Sequence, residues 1–451
     1  MPRPFRPHPQ AAFAYTLRQR HPALFMEMRL GKTLVAIRRC LLYKPLNPML
    51  GLRVLVVAPG SALQSWKDEL QAEGQDEPAA LTGERSLRLA LLMYANANWF
   101  LINREGFLSL PEIAIKAIRN WDAVILDESF IRNPRAKVTK FFLSNFRDCP
   151  HRWMLSGTPN PENDMEFWPQ LAWLDGQAFG YRTFWDWRAK EWQPDLQGYN
   201  WYPLPSTTKT IRDTLAKRVY ALRRTDAGAE PTKETIIRIL EFPPEIRIAY
   251  DTAEKDFVLS NTETTYAIVK YNWLRQLCGG FDATKPLKVW DGKLRELLDL
   301  ITGELRGIPT VVWFHYNQEL LAALNLLIAS KIGCAFLYGK QSLAEREGQR
   351  QSFQQGKVNV LLVQQAVAQM GMNLDHADTA IYYSQTPSAI ATQQTADRML
   401  SLNKKTTLLY IYLLVKDSID EDLHEALKLK KWSSNLSLVH AIKEAARARQ
   451  A

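Results

Sequence analysis

The stretch from Phe25 to Thr33, FMEMRLGKT, ends in Gly31-Lys32-Thr33, and these three residues limit the possible folds more than any other feature of the chain. They work as a phosphate loop only where a loop feeds the N-terminus of a helix. Gly31 lets the backbone approach a phosphate, and Lys32 offers a point charge to β- and γ-phosphates. Thr33 offers a hydroxyl to a magnesium ion, and the helix dipole adds favourable potential. The run Leu34 to Leu42 is compatible with such a helix. The pattern is incomplete: the full GxxxxGK[ST] form has glycine at the place of Met26, and Arg29 stands where related loops often carry another. Taken alone, Gly-Lys-Thr fits an ordinary helix start as well as a phosphate loop.

The segments downstream favour the second reading. Arg53–Pro59 (RVLVVAP) is a continuous apolar run, the mark of a strand covered on both faces of a parallel sheet. Further strands are expected at Trp99–Asn103, at Ala123–Leu126 running into Asp127-Glu128, and at Arg152–Leu155 running into Ser156-Gly157-Thr158-Pro159. Helical segments lie between them, Ser61–Leu70 among them, and Phe5–Leu17 forms a helix after a proline-rich arm. Alternating strands and helices indicate an α/β domain, whose ligands bind at the carboxyl ends of the strands. Asp127, Glu128, Gly157 and Thr158 fall there. The Gly-Lys-Thr loop joins them if a short strand lies around Ala23–Met26. A second α/β pattern begins after Lys293, with strands at Thr310–Phe314, Cys334–Tyr338, Val358–Val363, Thr379–Tyr383 and Thr407–Val415. Between the two patterns, Met165–Tyr202 is dense in aromatics, which serve packing more often than base stacking. Residues 217–243 form a connector, and 419–451 are helical and basic.

At 451 residues the chain needs two or three domains, and a 46% hydrophobic share excludes wholesale disorder. Its net charge of +10 suits a polyanionic partner without specifying a fold. Cys40, Cys149, Cys278 and Cys334 are far apart, with no metal-ligand spacing and no disulfide framework, which fits a reducing cytoplasm. No apolar run reaches membrane-spanning length, so no membrane role is expected.

Asp127-Glu128 directly after a buried strand is what a phosphate-loop ATPase needs opposite Gly-Lys-Thr. The aspartate can hold magnesium through water, and the glutamate can orient or deprotonate the attacking water. Phosphoryl transfer also needs a positive charge on the γ-phosphate, and Arg398 in QQTADRM is the candidate.

The ordered motifs resemble superfamily 2 ATPases, and among them the Swi/Snf-type DNA translocases, closest to the short forms of bacteriophages and bacteria. RPHPQ resembles the adenine-reading segment and assigns that role to Gln10. EMRLGKT resembles the phosphate loop, with Arg29, Leu30, Gly31, Lys32 and Thr33. VVAPGSALQSWKDEL, ILDESFIRNPRAK and WMLSGTPNPEN are similar to the next three motifs, the last coupling nucleotide state to nucleic acid through Ser156, Gly157 and Thr158. ALRRTDAG resembles the family connector, and LRQLCGG with KLREL a signature particular to Swi/Snf-type proteins. VVWFHYNQEL, YGKQSLAEREG, LLVQQAVAQMGMNLDHADTAIYY with Gly371, and QQTADRM resemble the second-lobe motifs. The resemblance runs from about residue 5 to 430.

It implies two RecA-like lobes with parallel sheets and a cleft between them for ATP and Mg2+. The division expected is a first lobe over 1–225, a connector over 226–292, a second lobe over 293–430 and a basic C-terminal helix over 431–451. Lys32, Glu128 and Arg398 would be catalytic, and Thr33 and Asp127 would hold the metal. A double-stranded DNA track would involve Lys67, Asn103, Lys340, Gln364 and Gln365, with Arg132, Arg135 and Lys137 suggestive beside the acidic box. Single-stranded DNA or RNA is the lesser expectation; the two basic terminal segments could hold a protein partner or nothing, and the expected state is a monomer. For each track residue a surface charge or loop cap is an equal alternative. Three departures bear on turnover. Phe130 replaces the family histidine, Ala368-Gln369 replaces a glycine pair, and Ser401 stands where a second arginine is expected, with Lys404 or Lys405 as possible substitutes.

Overall fold

The computed structural model describes residues 4–27, 29–60, 62–110, 121–157, 164–194, 201–228, 232–259, 265–282, 287–368, 372, 374–400, 404 and 406–429. The chain divides into two compact units, Met1–Glu230 and Pro231–Ala451.

The first unit is built on strands β1 (Ala23–Met26), β2 (Val54–Ala58), β3 (Ala79–Ala80), β4 (Trp99–Asn103), β5 (Ala123–Asp127) and β6 (His151–Ser156). A hairpin of β7 (Trp192–Pro194) and β8 (Trp201–Pro203) follows, and then β9 (Tyr220–Leu222). Among the described residues the main sheet is parallel throughout, in the order β3-β4-β2-β5-β6-β1-β9. β1, β2 and β5 are buried along their whole lengths, which explains their uninterrupted apolar sequences. Each fully buried valine or leucine of β2 contributes about 1.5–3 kcal/mol over an exposed one. The order matters for function. β1 lies beside β6, which lies beside β5, so the loops leaving these three strands open side by side on one edge. The conditional strand at Ala23–Met26 is thus present, and it is short because the loop begins at once.

The aromatic-rich segment forms helices Phe167–Asp175 and Phe184–Glu191. Trp168, Trp173, Trp187 and Trp192 are buried in the core of the unit. Trp185 is 46% exposed.

The second unit begins with β10 (Lys233–Leu240), earlier than the pattern after Lys293 suggests. Two short hairpin strands, β11 (Phe281–Asp282) and β12 (Leu287–Lys288), precede β13 (Thr310–Phe314), β14 (Cys334–Leu337), β15 (Val360–Gln364), β16 (Thr379–Tyr382) and β17 (Leu408–Val415). Its parallel sheet has the order β10-β17-β16-β13-β15-β14. The segment read as connector is therefore an edge strand paired with β17 over eight residues. Its alternating exposure pattern suits an edge, but periodicity cannot say which sheet a strand joins.

Beneath the sheet lies a buried polar network. Lys293 is 1% exposed, pairs with Asp420 at 2.5 Å and donates to the Tyr383 carbonyl at 2.9 Å. Arg275 donates to the Gln385 carbonyl at 2.5 Å. Arg275 belongs to LRQLCGG and Lys293 to KLREL, so each signature contributes a buried cation that ties a helix to the segment following β16. No helix among the described residues is long and apolar enough to cross a membrane.

Candidate functional site

The helix Lys32–Cys40 starts directly from Gly31, whose φ of 86° is in the left-handed region. A side chain there would also collide, because a Cβ would lie 2.8 Å from Cγ of Pro9. Pro9 is buried in the helix Pro7–Thr16, and Gln10, the expected adenine reader, is exposed immediately after it. The N-terminal helix is thereby seated against the phosphate loop. Arg29 has a φ of 67°. The loop therefore needs a left-handed residue where related loops carry glycine, at a cost of about 1–2 kcal/mol for a residue with a Cβ. Leu30 is buried and anchors the loop.

Lys32 is 8% exposed and its ammonium donates to the Met26 carbonyl at 2.7 Å and the Glu27 carbonyl at 3.3 Å. It therefore closes over its own loop, leaving the approach to phosphate through rotation of a flexible stem. Thr33 is half-buried in the first turn.

Asp127 ends β5 and is buried. Its carboxylate accepts the Trp66 indole N–H at 2.8 Å and the Glu128 backbone N–H at 3.0 Å. Burial, and next the charge of Glu128, push its carboxyl up to about 6, against the opposing pull of Lys32 and the Trp66 hydrogen bond. A carboxylate whose charge is disfavoured by burial and by Glu128 fits a divalent cation, which would offset both causes. Glu128 has a φ of 48°, unusual for a residue with a side chain, and its carboxylate accepts the Gly157 N–H at 3.4 Å. The glutamate of the acidic box therefore touches the motif after β6. Ser156 is fully buried and pairs in register with Phe25 of β1. Thr158 lies outside the described residues.

One contact was not legible in advance. Glu27 donates its own N–H to the Leu222 carbonyl, and its side chain accepts the backbone N–H of Arg224 at 3.1 Å. The Arg224 guanidinium, 3% exposed, pairs with the same carboxylate at 3.4 Å. The chain leaving the first unit is thus pinned to the phosphate loop through β1–β9 pairing and a mostly buried ion pair. The spacing of 197 residues between the partners hides this in the sequence.

The remaining candidates divide. Lys67 makes an ion pair with Glu77 at 3.0 Å. Asn103 caps the helix Arg104–Leu108, accepting from Gly106 N at 3.2 Å and donating to Glu105 at 3.1 Å, the role of a loop cap. Phe130 packs edge-on against Phe142 at 5.4 Å, so the replacement of histidine becomes part of the core. In the second unit Lys340 is exposed, and the turn at Gly339 is braced by the Gln364 side chain, which accepts the Gly339 N–H at 3.0 Å. Gln365 is 2% exposed and donates to the Ser384 carbonyl at 3.0 Å, which withdraws it from a surface track. Arg398 caps the helix Ala389–Asp397 and is 8% exposed, with its carbonyl accepting Leu374 N at 3.0 Å. Lys404 is held by Asp378 at 3.1 Å, by the Asp375 carbonyl at 2.9 Å and by the Ala377 carbonyl, and so is engaged by the turn 375–378. Gly371, Ser401 and Lys405 lie outside the described residues.

The SNF2-related domain matches residues 11–278, and the helicase conserved C-terminal domain matches residues 292–403. Protein p41 of Acyrthosiphon pisum secondary endosymbiont phage 1 is 25% identical over 413 residues, covering 85% of this chain and 87% of that protein. The CHD3-type chromatin-remodeling factor CHR7 of Arabidopsis thaliana is 23% identical over 90% of this chain, which spans only 34% of that protein. The Hef helicase domain of Pyrococcus furiosus shares the fold at a TM-score of 0.55 and 13% identity, over 93% of this chain and 98% of that one. With these two family matches and parallel sheets in two RecA-like lobes, the chain belongs to the SNF2-related family and is a helicase-like ATPase.

Proposed function

We propose that this ATPase is a motor that moves along double-stranded DNA without separating its strands. The observation that carries the reading is the junction of β1, β5 and β6. It sets Lys32, Asp127 and Glu128 on one sheet edge and lets Glu128 touch Gly157. In this reading ATP lies on the loop 29–33, with Gln10 at its adenine, and Gly371 is a further nucleotide-binding residue. Thr33 and Asp127 hold Mg2+, which when bound draws charge off the β- and γ-phosphate oxygens. Lys32 leaves the Met26 and Glu27 carbonyls for the phosphates. Glu128, already in a constrained backbone conformation, orients the attacking water and takes its proton. Arg398 meets the developing charge. Ser156, Gly157 and Thr158 relay nucleotide state, because the Glu128–Gly157 contact changes when Glu128 turns to water. The first lobe ends near residue 225, and residues 226–292 lead into the second. The DNA track runs over Lys67, Lys340 and Gln364, with Asn103 shaping its loop and Gln365 supporting from beneath.

The basic balance of +10 supports a nucleic-acid partner, and the kinship with a phage protein fits action in a host cytoplasm; a monomer is part of this proposal. A second reading, a nucleotide-gated DNA-binding module with slow turnover, is favoured by the engagement of Lys404, which removes one substitute for the arginine missing at Ser401. ATPase rate with and without duplex DNA separates the two, with Lys32→Ala and Glu128→Gln as controls. The motor reading expects strong stimulation by duplex that both variants abolish. A wild type that binds ATP yet turns over no faster than Glu128→Gln would leave the switch reading. Triplex displacement without duplex unwinding is expected beside it.

A further inference from the structure

The aromatic-rich segment carries a surface that meets the acidic-box extension at Arg135, one of the residues suggestive of a DNA contact. Arg135, seven residues beyond Glu128 (135 − 128), is exposed on a turn fixed by its own N–H donating to the Asn133 side chain at 2.8 Å. Its guanidinium carbon lies 4.9 Å from the ring centre of Trp185. Arg188, one helical turn after Trp185, lies 4.8 Å from the same ring and 4.2 Å from Trp201 on β8. These side chains form a ladder, Arg135–Trp185–Arg188–Trp201, that joins the acidic-box extension to the hairpin.

Two features set it apart from ordinary packing. Trp185 stays 46% exposed, whereas its neighbours Phe184 and Trp187 are buried. Neither guanidinium forms an ion pair with a described carboxylate, although two acids stand on the same helix. Asp186 is engaged by the Thr183 hydroxyl at 2.6 Å, and Glu191 by the Tyr181 hydroxyl at 2.7 Å and the Thr207 hydroxyl at 2.6 Å. Burial, and then the charge of Arg135, draw the pKa of Arg188 down, the sign expected of a cation beside an uncompensated cation. Stacking on indole gives each guanidinium a fixed plane at about 0.5–1 kcal/mol per contact at an exposed site. A fixed planar fork loses less entropy on binding an oxyanion than a free side chain does.

We propose that the Arg135–Trp185–Arg188–Trp201 ladder is a binding site for the phosphate backbone of duplex DNA, additional to the track over Lys67, Lys340 and Gln364. The inference rests on the reading of this chain as a DNA motor, and adds a place where the first unit grips the duplex. The ligand is recognised by charge and by the bidentate match of guanidinium to phosphate, so the site is indifferent to sequence. Trp185 and Trp201 hold the two forks apart and shield one side of each from water.

The test uses the full chain and a short mixed-sequence DNA duplex, with affinity read by fluorescence anisotropy across about 50–200 mM salt. The double variant Arg135→Ala/Arg188→Ala is expected to weaken binding about tenfold and to lower the slope of log affinity against log salt by about 1.8, two phosphates at about 0.9 each. Arg135→Lys/Arg188→Lys keeps both charges and is expected to restore the slope, while recovering affinity only in part. A double alanine variant with wild-type affinity and slope overturns the site and leaves the motor reading standing. The site is equally overturned if the lysine pair loses the slope too and melts at a lower temperature, which would assign the ladder to holding the fold. A wild type with no salt-dependent duplex binding overturns both. Loss of binding to an acidic polypeptide, with duplex binding unchanged, would reassign the surface to a protein partner and overturn the proposal.

Discussion

Glu319 offers a test of the electrostatics of the second unit that needs no ligand. It sits one turn into the helix Asn317–Ala329, is 1% exposed, and accepts the Tyr316 N–H at 3.3 Å and the Ser384 hydroxyl. Among the described residues its other oxygen has no hydrogen-bond partner, and Gly279 is so close that a Cβ there would collide with it. Burial pushes the carboxyl up to about 7, with the Ser384 hydrogen bond and the charge of Lys293 pulling the other way. Below its ordinary value of 4.5, both native and unfolded chains hold the proton. Between there and about pH 7 the unfolded chain has released it while the native chain retains it, so native stability falls as pH rises. Above that window the loss is complete. At 1.36 kcal/mol per tenfold change in proton affinity, the total is about 3 kcal/mol. Glu319→Gln cannot titrate and keeps an acceptor for Tyr316 and Ser384. Urea titrations of both proteins at several pH values, following the second-unit transition, compare them directly. Contributions from His315 and His424, which burial pushes down to about 3 and about 4, are common to both and cancel. The advantage of Glu319→Gln should grow by about 3 kcal/mol from about pH 4 to pH 8 and flatten above that, which is about 5–10 °C in melting temperature for a unit of this size. A difference constant within about 0.5 kcal/mol over that range refutes the reasoning.

Three more outcomes follow from contacts named above. Arg224→Ala should destabilise the first unit by about 2–4 kcal/mol, because it strips the partner from a half-buried Glu27; a double-mutant cycle with Glu27→Gln should return a coupling above about 1 kcal/mol, and additivity would contradict the pin between phosphate loop and connector. Lys293→Met alone should cost about 3–5 kcal/mol by leaving Asp420 buried without its cation, whereas Lys293→Met/Asp420→Leu should recover most of that in denaturant titrations. On duplex DNA, Lys340→Ala should reduce the salt slope by about 0.9. Gln365→Ala should leave that slope alone and lower thermal stability by about 1–2 kcal/mol, since its amide serves a buried carbonyl.

Much of the architecture was legible because buried parallel strands must be apolar from end to end. Trp99–Asn103 and Thr310–Phe314 match residue for residue, and the other long strands agree within a few residues at their ends. The resemblance to Swi/Snf-type ATPases, read from ordered motifs, agrees with the matching families. Illegible were β9 and the sheet that β10 joins. Three residues at Tyr220–Leu222 carry no periodicity, and strand pairing is a choice among distant partners. Side-chain duties were obscured for the same reason. Nothing near Gln365 announces Ser384, nor does anything near Lys404 distinguish a phosphate ligand from a cap on the turn 375–378.

By itself, then, the amino-acid order settled which chemistry is present: a Gly-Lys-Thr loop, a strand ending in Asp-Glu, and two runs of buried strands, each forced by local rules of backbone geometry and burial. Tertiary structure decided how that chemistry is held. Trp66 steadies Asp127, Pro9 closes over Gly31, Arg224 grips Glu27, and two arginines lie over the exposed indole of Trp185. The physical reason is distance along the chain. Local composition dictates whether a residue can lie in a strand or start a helix, whereas a hydrogen bond or stacked ring depends on partners that only the closed sheet brings within reach.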